Sequence, residues 1–238
     1  MTTSDPVTTT IEDGVAVLRF DDGKANALSF AAVAGLAAGL DRAAAEAEAV
    51  CLVGRDGKLC AGFDLSVMEG GPDAARELVA AGGELLMRLY GHPQPVVVAV
   101  TGHALAAGAL LVLACDVRIG ADADPPAKIG LNETSIGMPL PLFALALAED
   151  RLARRSLVAA TLAARIYSPA EAVEVGYLDA VVPPGELEAA AVSEARRLAT
   201  YSRSAYARTK EVLRGPTLER VRRGGAADLA HFAVEPRG

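Results

Sequence analysis

A single glutamate in a mostly apolar segment is the residue best suited to chemistry in this chain. Glu133 lies within residues 128–139, where Gly130 and Gly137 stand on either side of it and most neighbours are apolar. Such surroundings raise the pKa of a carboxyl group by desolvation, which makes it a better base near neutral pH. A structural alternative is also open: Asn132 caps a helix, and Glu133 interacts favourably with the helix dipole.

Two glycine-bearing turns precede predicted helices and offer a second chemical element. They are residues 61–64, with Gly62, and residues 105–109, with Gly108. The first amides of a helix have no acceptor within the helix, and its N-terminus carries positive potential. Two such N–H groups directed at one carbonyl oxygen form an oxyanion hole. Taken singly, each turn is more often explained by tight packing.

Composition limits the class of protein. Apolar residues make up 52% of the 238 residues, which is enough for a large core, and the net charge of −7 argues against a nucleic-acid-binding surface. Residues 1–6 lack the pattern of a signal peptide, and the apolar run 104–115 is too short to span a bilayer. Cys51, Cys60 and Cys115 have no nearby Cys or His partners, which predicts reduced thiols and no metal site. We therefore expect a soluble, cytoplasmic protein that does not bind membranes.

The elements that must position these residues alternate along the chain. After a strand pair at 7–20, buried strands at 49–53, 95–100 and 117–119 alternate with helices that start near Ser29 or cover 73–90 and 105–115. This order predicts a mostly parallel sheet with helices outside it. Beyond Pro141 the predicted helices are 141–150, 153–163, 169–175, 186–200, 202–213 and 217–232, with one short strand at 177–182. The pattern indicates an α/β core over 1–185 and a helical region over 186–238.

Five segments, in order, resemble the motifs of the crotonase (enoyl-CoA hydratase/isomerase) superfamily. They are residues 25–29, 60–65, 102–116, 130–133 and 168–182. The resemblance implies an α/β fold, a crotonase-like repeated ββα superhelix with a helical C-terminal trimerisation region. It also implies a homotrimer or a hexamer made of two trimers, and an acyl-CoA thioester as substrate. Coenzyme A is then part of the substrate, and no cofactor is expected.

The resemblance also assigns roles to individual residues. Glu133 would be the acid/base, and the backbone N–H groups of Phe63 and Ala107 would form the oxyanion hole, provided that φ of Ala107 is negative. The implied substrate-binding residues are Lys24, Ala25, Ala27, Leu28, Ala61, Gly62, Asp64, Leu65, Gly108 and Leu110.

Several charged and polar residues have competing interpretations. Lys24, Arg55 and Lys58 are candidates for the CoA phosphates, with ordinary solvated loop charge as an equal alternative. For Lys210 the prediction is a surface charge on a C-terminal helix, with contact to the CoA of a neighbouring subunit as the alternative that the resemblance implies. Structural roles are predicted for the side chains His103, Asp64, Cys60, Asp116 and Asp179.

The residue at position 110 distinguishes two reactions. Two-carboxylate hydratases of this family carry a glutamate at the place of Leu110, whereas Δ3,Δ2-enoyl-CoA isomerases, which the segment 130–134 also resembles, carry an apolar residue there. One carboxylate is enough to move a double bond from C3 to C2, because the same group takes and returns the proton. The predicted function is therefore 3-enoyl-CoA isomerisation. The alternatives are hydration of 2-enoyl-CoA in fatty-acid oxidation and non-catalytic binding of acyl-CoA.

Overall fold

One six-stranded sheet and two small sheets form the centre of the molecule, with helices around them. The computed structural model describes residues 5–232. Within this range the strands are β1 Val7–Glu12, β2 Val15–Phe20, β3 Ala27–Leu28, β4 Ala49–Val53, β5 Gly57–Cys60, β6 Gly62–Phe63, β7 Val96–Val100, β8 Gly102–Leu105, β9 Val117–Ala121, β10 Ile129–Gly130 and β11 Ala180–Val182. The helices are α1 Phe30–Glu46, α2 Leu65–Met68, α3 Pro72–Tyr90, α4 Ala107–Ala114, α5 Leu142–Arg151, α6 Leu157–Ala160, α7 Pro169–Val175, α8 Leu187–Ala199 and α9 Arg203–Leu229.

The sheet topology confirms the predicted ββα repeat. The large sheet has the order β1-β2-β4-β7-β9-β11, and all its neighbours run parallel except β1 and β2. Strand β4 leads into β5, and β7 leads into β8, and these second strands pair in the sheet β10-β8-β5. A helix follows each pair, so that the amino ends of α2 and α4 come next to the small sheets.

The central strands are covered on both sides. Every residue of β4 and β7 is buried. Leu52 and Val98 belong to a core shared with α1, α3 and α4, whereas Cys51 and Val97 pack against α8 on the other face. Strands buried on both faces have continuous rather than alternating hydrophobicity, which is why these two were recognisable from sequence. The division at residue 185 stays a prediction.

Local capping signals work as the sequence predicts. Ser29 accepts a hydrogen bond from the Ala32 amide and begins α1. Ser168 and Glu171 form a reciprocal capping box at α7, and Gly176 ends that helix with φ 97°, in the left-handed region that favours glycine. None of the helices between residues 5 and 232 is both long and apolar enough to span a bilayer.

Two predicted boundaries in the chain are wrong. Residues 102–105 form a strand, β8, because they pair with β5 and β10, and α4 begins only at Ala107. The helix predicted over 153–163 is shorter: a 3-10 turn at Arg154–Ser156 leads into α6, which ends at Ala160.

The predicted break near Pro216 is also wrong, because α9 runs through it without interruption. Proline removes one helical hydrogen bond, so that tertiary contacts must hold the two halves in line. Before the proline, Arg214 donates to the carbonyl of Tyr90 at 2.6 Å. After it, Leu218 and Val221 pack against the core.

Lys210 is buried, contrary to the prediction of a surface charge. Its side chain is 6% exposed and lies 2.6 Å from a carboxylate oxygen of Asp116, and it also donates to the carbonyls of His92 and Gln94. Arg214 pairs with the other oxygen of Asp116 at 2.8 Å. The cluster anchors α9 to the end of α4, and Lys210 is fully engaged within the chain.

Candidate active site

Two short strands bring distant loops together at the site. In the parallel pair of β3 and β6, Ala27 lies opposite Gly62 and Leu28 opposite Phe63. The Asp64 amide donates to the Leu28 carbonyl at 3.2 Å. Because neighbouring amides in an extended strand point to opposite sides, we infer that the Phe63 N–H is directed away from β3.

The start of α4 lies against β6. A Cβ on Gly62 would come within 3.2 Å of the Ala106 Cβ, and one on Gly108 would collide with the carbonyl oxygen of Cys60. Ala107 is the first residue of α4, so its N–H has no acceptor within the helix. Among the described residues the positive φ at this turn, 50°, belongs to Ala106 and not to Ala107.

Backbone contacts tie the segment that carries Glu133 to the same point. β10 pairs with β8, and the Ala106 amide donates to the Gly130 carbonyl at 3.0 Å. The chain then makes a 3-10 turn at Thr134–Ile136, closed by Gly137 with φ 79°. The carbonyl of Glu133 accepts from the amides of Ile136 and Met138. The alternative in which Asn132 caps a helix is wrong, because Glu133 holds the cap position and no side chain caps the turn.

These elements enclose a largely apolar cavity of about 220 Å³. Its lining residues are Ala61, Gly62, Phe63, Leu65, Met68, Val79, Ala106, Leu110, Asn132, Glu133, Ile136, Met138, Pro139, Pro141, Phe143 and Phe232. Glu133 is the only ionisable side chain among the described residues that line it. Ala106 and Leu110, from the start of α4, line the same cavity as Glu133. The amino end of α4 therefore faces the same space as the carboxylate.

Burial without compensation sets the electrostatics of Glu133. Glu133 is 5% exposed, and no donor in the part of the chain that the structure describes lies within hydrogen-bonding distance of its Oε2. Desolvation raises the pKa of Glu133 to about 7, and a hydrogen bond from its own backbone amide offsets only part of that effect. The buried Oδ1 of Asn132 lacks a protein donor too. Glu133 can thus exchange a proton near neutral pH, beside helix-end amides able to stabilise an anion.

A model of the family described as enoyl-CoA hydratase/isomerase matches residues 10–234. The chain belongs to this family. Human mitochondrial enoyl-CoA delta isomerase 1 is 32% identical over 223 residues, covering 92% of this chain and 74% of that protein. The structure of an enoyl-CoA hydratase/isomerase family protein from Pseudomonas syringae superposes with a TM-score of 0.93 at 37% identity, covering 97% of this chain and 100% of that one. Human mitochondrial delta3-delta2-enoyl-CoA isomerase superposes with a TM-score of 0.89 at 32% identity, covering 94% and 89%. The protein is an enzyme of the crotonase superfamily.

In this enoyl-CoA hydratase/isomerase family member, the predicted site residues fall into three groups: those that line the cavity, those at the start of α4, and those outside the cavity. Those that line the cavity are Ala61, Gly62, Phe63, Leu65, Leu110 and Glu133. Ala107 and Gly108 are buried at the α4 start beside Ala106. The others do not line the cavity: Ala27 and Leu28 form the strand behind β6, Lys24 and Ala25 lie in the preceding loop, and Asp64 caps α2 by accepting from the Ser66 amide at 2.9 Å.

The three candidate phosphate ligands lie close together at an exposed loop. Arg55 donates to the carbonyl of Lys24, and its guanidinium lies 3.4 Å from a carboxylate oxygen of Asp21. The Lys58 ammonium lies 3.4 Å from the same carbonyl. Two cations, Arg55 and Lys58, thus meet at the backbone carbonyl of Lys24, with the charge of Arg55 partly compensated by Asp21.

Predicted structural roles for other polar residues agree with their contacts. His103 Nδ1 accepts from the Lys128 amide at 2.9 Å, and Asp179 pairs with Arg118 at 2.6 Å. Burial raises the pKa of Cys60 to about 12, which disfavours a nucleophilic thiolate. Within the described chain, no cluster of three or more His, Cys, Asp or Glu side chains is placed to bind a metal ion.

Sequence reasoning missed part of the cavity wall. Phe143 comes from the first turn of α5, and Phe232 follows the end of α9, so both reach the cavity through tertiary packing and leave no local signal. Asn132 could have been recognised from the sequence, because it directly precedes Glu133. In the segment 66–92, Met68 lines the cavity, whereas Leu85 and Met87 do not.

Proposed function

We propose that this protein is a Δ3,Δ2-enoyl-CoA isomerase that uses Glu133 as its only acid/base. The observation that carries the proposal is the composition of the cavity wall: the described lining residues include one ionisable group, Glu133, and the buried apolar Leu110 occupies the second-carboxylate position. Isomerisation is balanced by a single proton that leaves and returns, so one carboxylate suffices. The names of the human relatives support the same reaction.

In the first step Glu133 takes a proton from C2 of the 3-enoyl thioester. The C–H electron pair delocalises into a dienolate, with negative charge on the thioester oxygen. The N–H groups of Phe63 and Ala107 stabilise this charge by hydrogen bonds, and loss of one such donor typically costs about 2.7–4 kcal/mol of transition-state stabilisation. In the second step the protonated Glu133 returns the proton at C4, which leaves the double bond between C2 and C3.

The pKa of about 7 suits both halves of this cycle. About half of the Glu133 side chains are ionised at neutral pH. The carboxylate is then basic enough to remove a proton from carbon, and the carboxylic acid is strong enough to return it. A carboxyl with an ordinary pKa would be a much weaker base.

The CoA portion of the substrate would lie against the loop of residues 24–28 and the turn of residues 61–65. The pairing of β3 with β6 supports this placement because it joins the two segments. Lys24, Arg55 and Lys58 would bind the phosphates of CoA. Coenzyme A enters as part of the substrate, and the proposed steps use no cofactor.

Hydration of 2-enoyl-CoA is a second candidate, and one observation favours it. Glu133 Oε2 and Asn132 Oδ1 are buried acceptors in the wall of one cavity, and neither has a protein donor. One water molecule donates two hydrogen bonds and could satisfy both. Glu133 would then deprotonate the water for attack at C3 and deliver the proton to C2.

The absorbance of the conjugated enoyl thioester distinguishes the two reactions. We expect the band to grow with a 3-enoyl-CoA and to stay nearly constant with a 2-enoyl-CoA. Rapid loss of the band from the 2-enoyl-CoA would establish a hydratase, and the absence of change with both substrates would refute the isomerase proposal.

Assembly into a homotrimer or hexamer is also proposed. Apolar side chains on α6, just after it and on α9 are 61–69% exposed and would gain from burial in an interface; they are Val158, Leu162, Val212 and Leu213. Light scattering on the purified protein tests this. A cytoplasmic location stays a prediction.

A further inference from the structure

One aromatic ring separates the catalytic cavity from a second, larger space. Phe143 is 4% exposed and lines the cavity that contains Glu133. It also lines a groove of about 960 Å³ between α3 and α9. Phe143 is the one residue common to the two linings within the described chain, so its side chain stands between the two spaces.

The groove has the chemistry of a hydrocarbon site. Besides Phe143, its apolar residues are Ala80, Met87, Leu218, Val221, Ala226, Leu229 and Ala230. Charged side chains, including Arg76, Glu84 and Arg222, also border it. An apolar groove with a polar border, next to a cavity for a thioester, suits the far end of an acyl chain.

The Phe143 ring is held in place from both sides. A Cβ on Gly83 of α3 would lie 2.7 Å from the ring, so the helix backbone packs directly against it. From α9, Asp228 accepts a hydrogen bond from the Leu142 amide at 2.7 Å, which fixes the first turn of α5. The ring is therefore packed against α3, and the helix turn that carries it is anchored to α9.

The size of the cavity turns this partition into a length limit. An apolar protein cavity of about 150 Å³ holds one benzene molecule, so a cavity of about 220 Å³ has room for roughly nine heavy atoms. Part of this room belongs to the thioester. An acyl chain longer than about eight carbons therefore exceeds the cavity, and Phe143 stands between the cavity and the groove.

We propose that Phe143 is the specificity-determining residue that ends the acyl site and restricts this enzyme to short and medium acyl chains. Removal of the ring joins the cavity to the groove between α3 and α9, which then receives the distal carbons of a longer chain. The inference rests on the proposed acyl-CoA site, but it does not depend on which reaction Glu133 performs.

Binding of saturated acyl-CoA esters with 4, 8, 12 and 16 acyl carbons tests the proposal by calorimetry. For the unmodified enzyme we expect affinity to rise up to about eight carbons and then to level off, because each buried methylene is worth roughly fourfold in Kd. In Phe143→Ala the rise should continue to twelve carbons, with at least a tenfold gain in affinity for that ester. Phe143→Leu, which retains most of the packing, should show a smaller gain of the same kind.

Two neighbouring alanines on α9 provide a matched control. Ala226 lines the groove, whereas Ala227 is exposed and does not. In the Phe143→Ala background, Ala226→Trp should abolish the gain for long chains, and Ala227→Trp should leave it intact. Equal effects of the two tryptophans would overturn the assignment of the groove.

Further outcomes decide the proposal independently of catalysis. If the affinity of the unmodified enzyme keeps rising up to sixteen carbons, Phe143 does not end the acyl site. The same conclusion follows if Phe143→Leu is folded but shows no gain in affinity for the twelve-carbon ester. Saturated esters cannot be isomerised, so failure of the isomerase assay leaves this test intact. Conversely, if the enzyme is an isomerase whose affinity has no limit in acyl-chain length, only the role of Phe143 is refuted.

Discussion

Replacing Glu133 by glutamine should abolish activity and stabilise the protein at the same time. Glutamine has nearly the same shape but cannot ionise, so the reaction loses its base. General acid–base catalysis by a positioned group contributes about 10²–10⁴-fold, and the loss of kcat in Glu133→Gln should fall in that range. The affinity for acyl-CoA should change little, because the CoA contacts lie elsewhere.

The stabilisation follows from the burial of the carboxylate. The pKa of Glu133 rises from 4.5 to about 7 on folding, so between these pH values the folded state holds a proton that the unfolded state has released. Stability therefore falls as the pH rises through this range. Linkage gives a cost of roughly 1 kcal/mol at pH 5 and roughly 3 kcal/mol at pH 8, which Glu133→Gln removes.

Urea denaturation at pH 5 and pH 8 measures the effect on stability. The difference in the free energy of unfolding between Glu133→Gln and the unmodified enzyme should be larger at pH 8 than at pH 5 by roughly 2 kcal/mol. Glu69→Gln, on an exposed carboxylate at the end of α2, is the control and should show no such widening. In the unmodified enzyme, kcat/KM for a 3-enoyl-CoA should rise with pH and level off above about 7.

Two results would refute this reasoning about Glu133. One is a variant that is less stable than the unmodified enzyme at pH 8, which would mean that the carboxylate is satisfied by contacts that favour its charge. The other is a rate that does not change between pH 5.5 and pH 8, which would remove Glu133 as the titrating base.

Three further changes test other parts of the site and its support. Ala107→Pro deletes one oxyanion N–H at the first position of a helix, where proline is tolerated, and should lower kcat by about 10²–10³-fold. Ala107→Gly keeps the N–H and should not lower kcat in this way. Full activity in a proline variant that circular dichroism shows to be folded would exclude that donor. Leu110→Glu places a second carboxylate in the cavity wall and should raise the hydration rate of 2-enoyl-CoA above that of Leu110→Gln; equal hydration rates in the two folded variants would contradict the role given to this position. Asp116→Asn leaves Lys210 and Arg214 buried without their anion and should cost about 3–5 kcal/mol in urea denaturation; a loss below about 1 kcal/mol would show that the cluster is not needed.

The parts of the fold that the sequence predicted are those encoded by nearby residues. β4 and β7 are continuous apolar runs, and the capping box at Ser168 needs only three following residues. The segments that carry Phe63, Ala107 and Glu133 were recognisable by their motifs. Their meeting at one cavity depends on the pairing of β3 with β6 and of β8 with β10.

The parts that escaped prediction depend on contacts between distant residues. Lys210 has the composition of a surface helix residue, and its burial depends on Asp116, which lies 94 positions earlier. The same holds for Pro216, which stays helical because both sides of it are anchored to the core. Phe143 and Phe232 reach the cavity only because α5 and α9 pack there.

Glu133 and the nearly buried side chain of Asp116 have opposite surroundings, and the contrast argues for function at Glu133. Asp116 contacts two buried cations, Lys210 and Arg214, and accepts from the Val96 amide at 2.8 Å, so its charge is compensated in the folded state. Among residues 5–232, no cation acts on Glu133, and no group donates to its Oε2. An uncompensated buried carboxylate reduces stability, and a neutral residue of similar shape would relieve that cost. The arrangement makes sense if the proton affinity of Glu133 is what the site requires, since compensation of the kind found at Asp116 would lower that affinity.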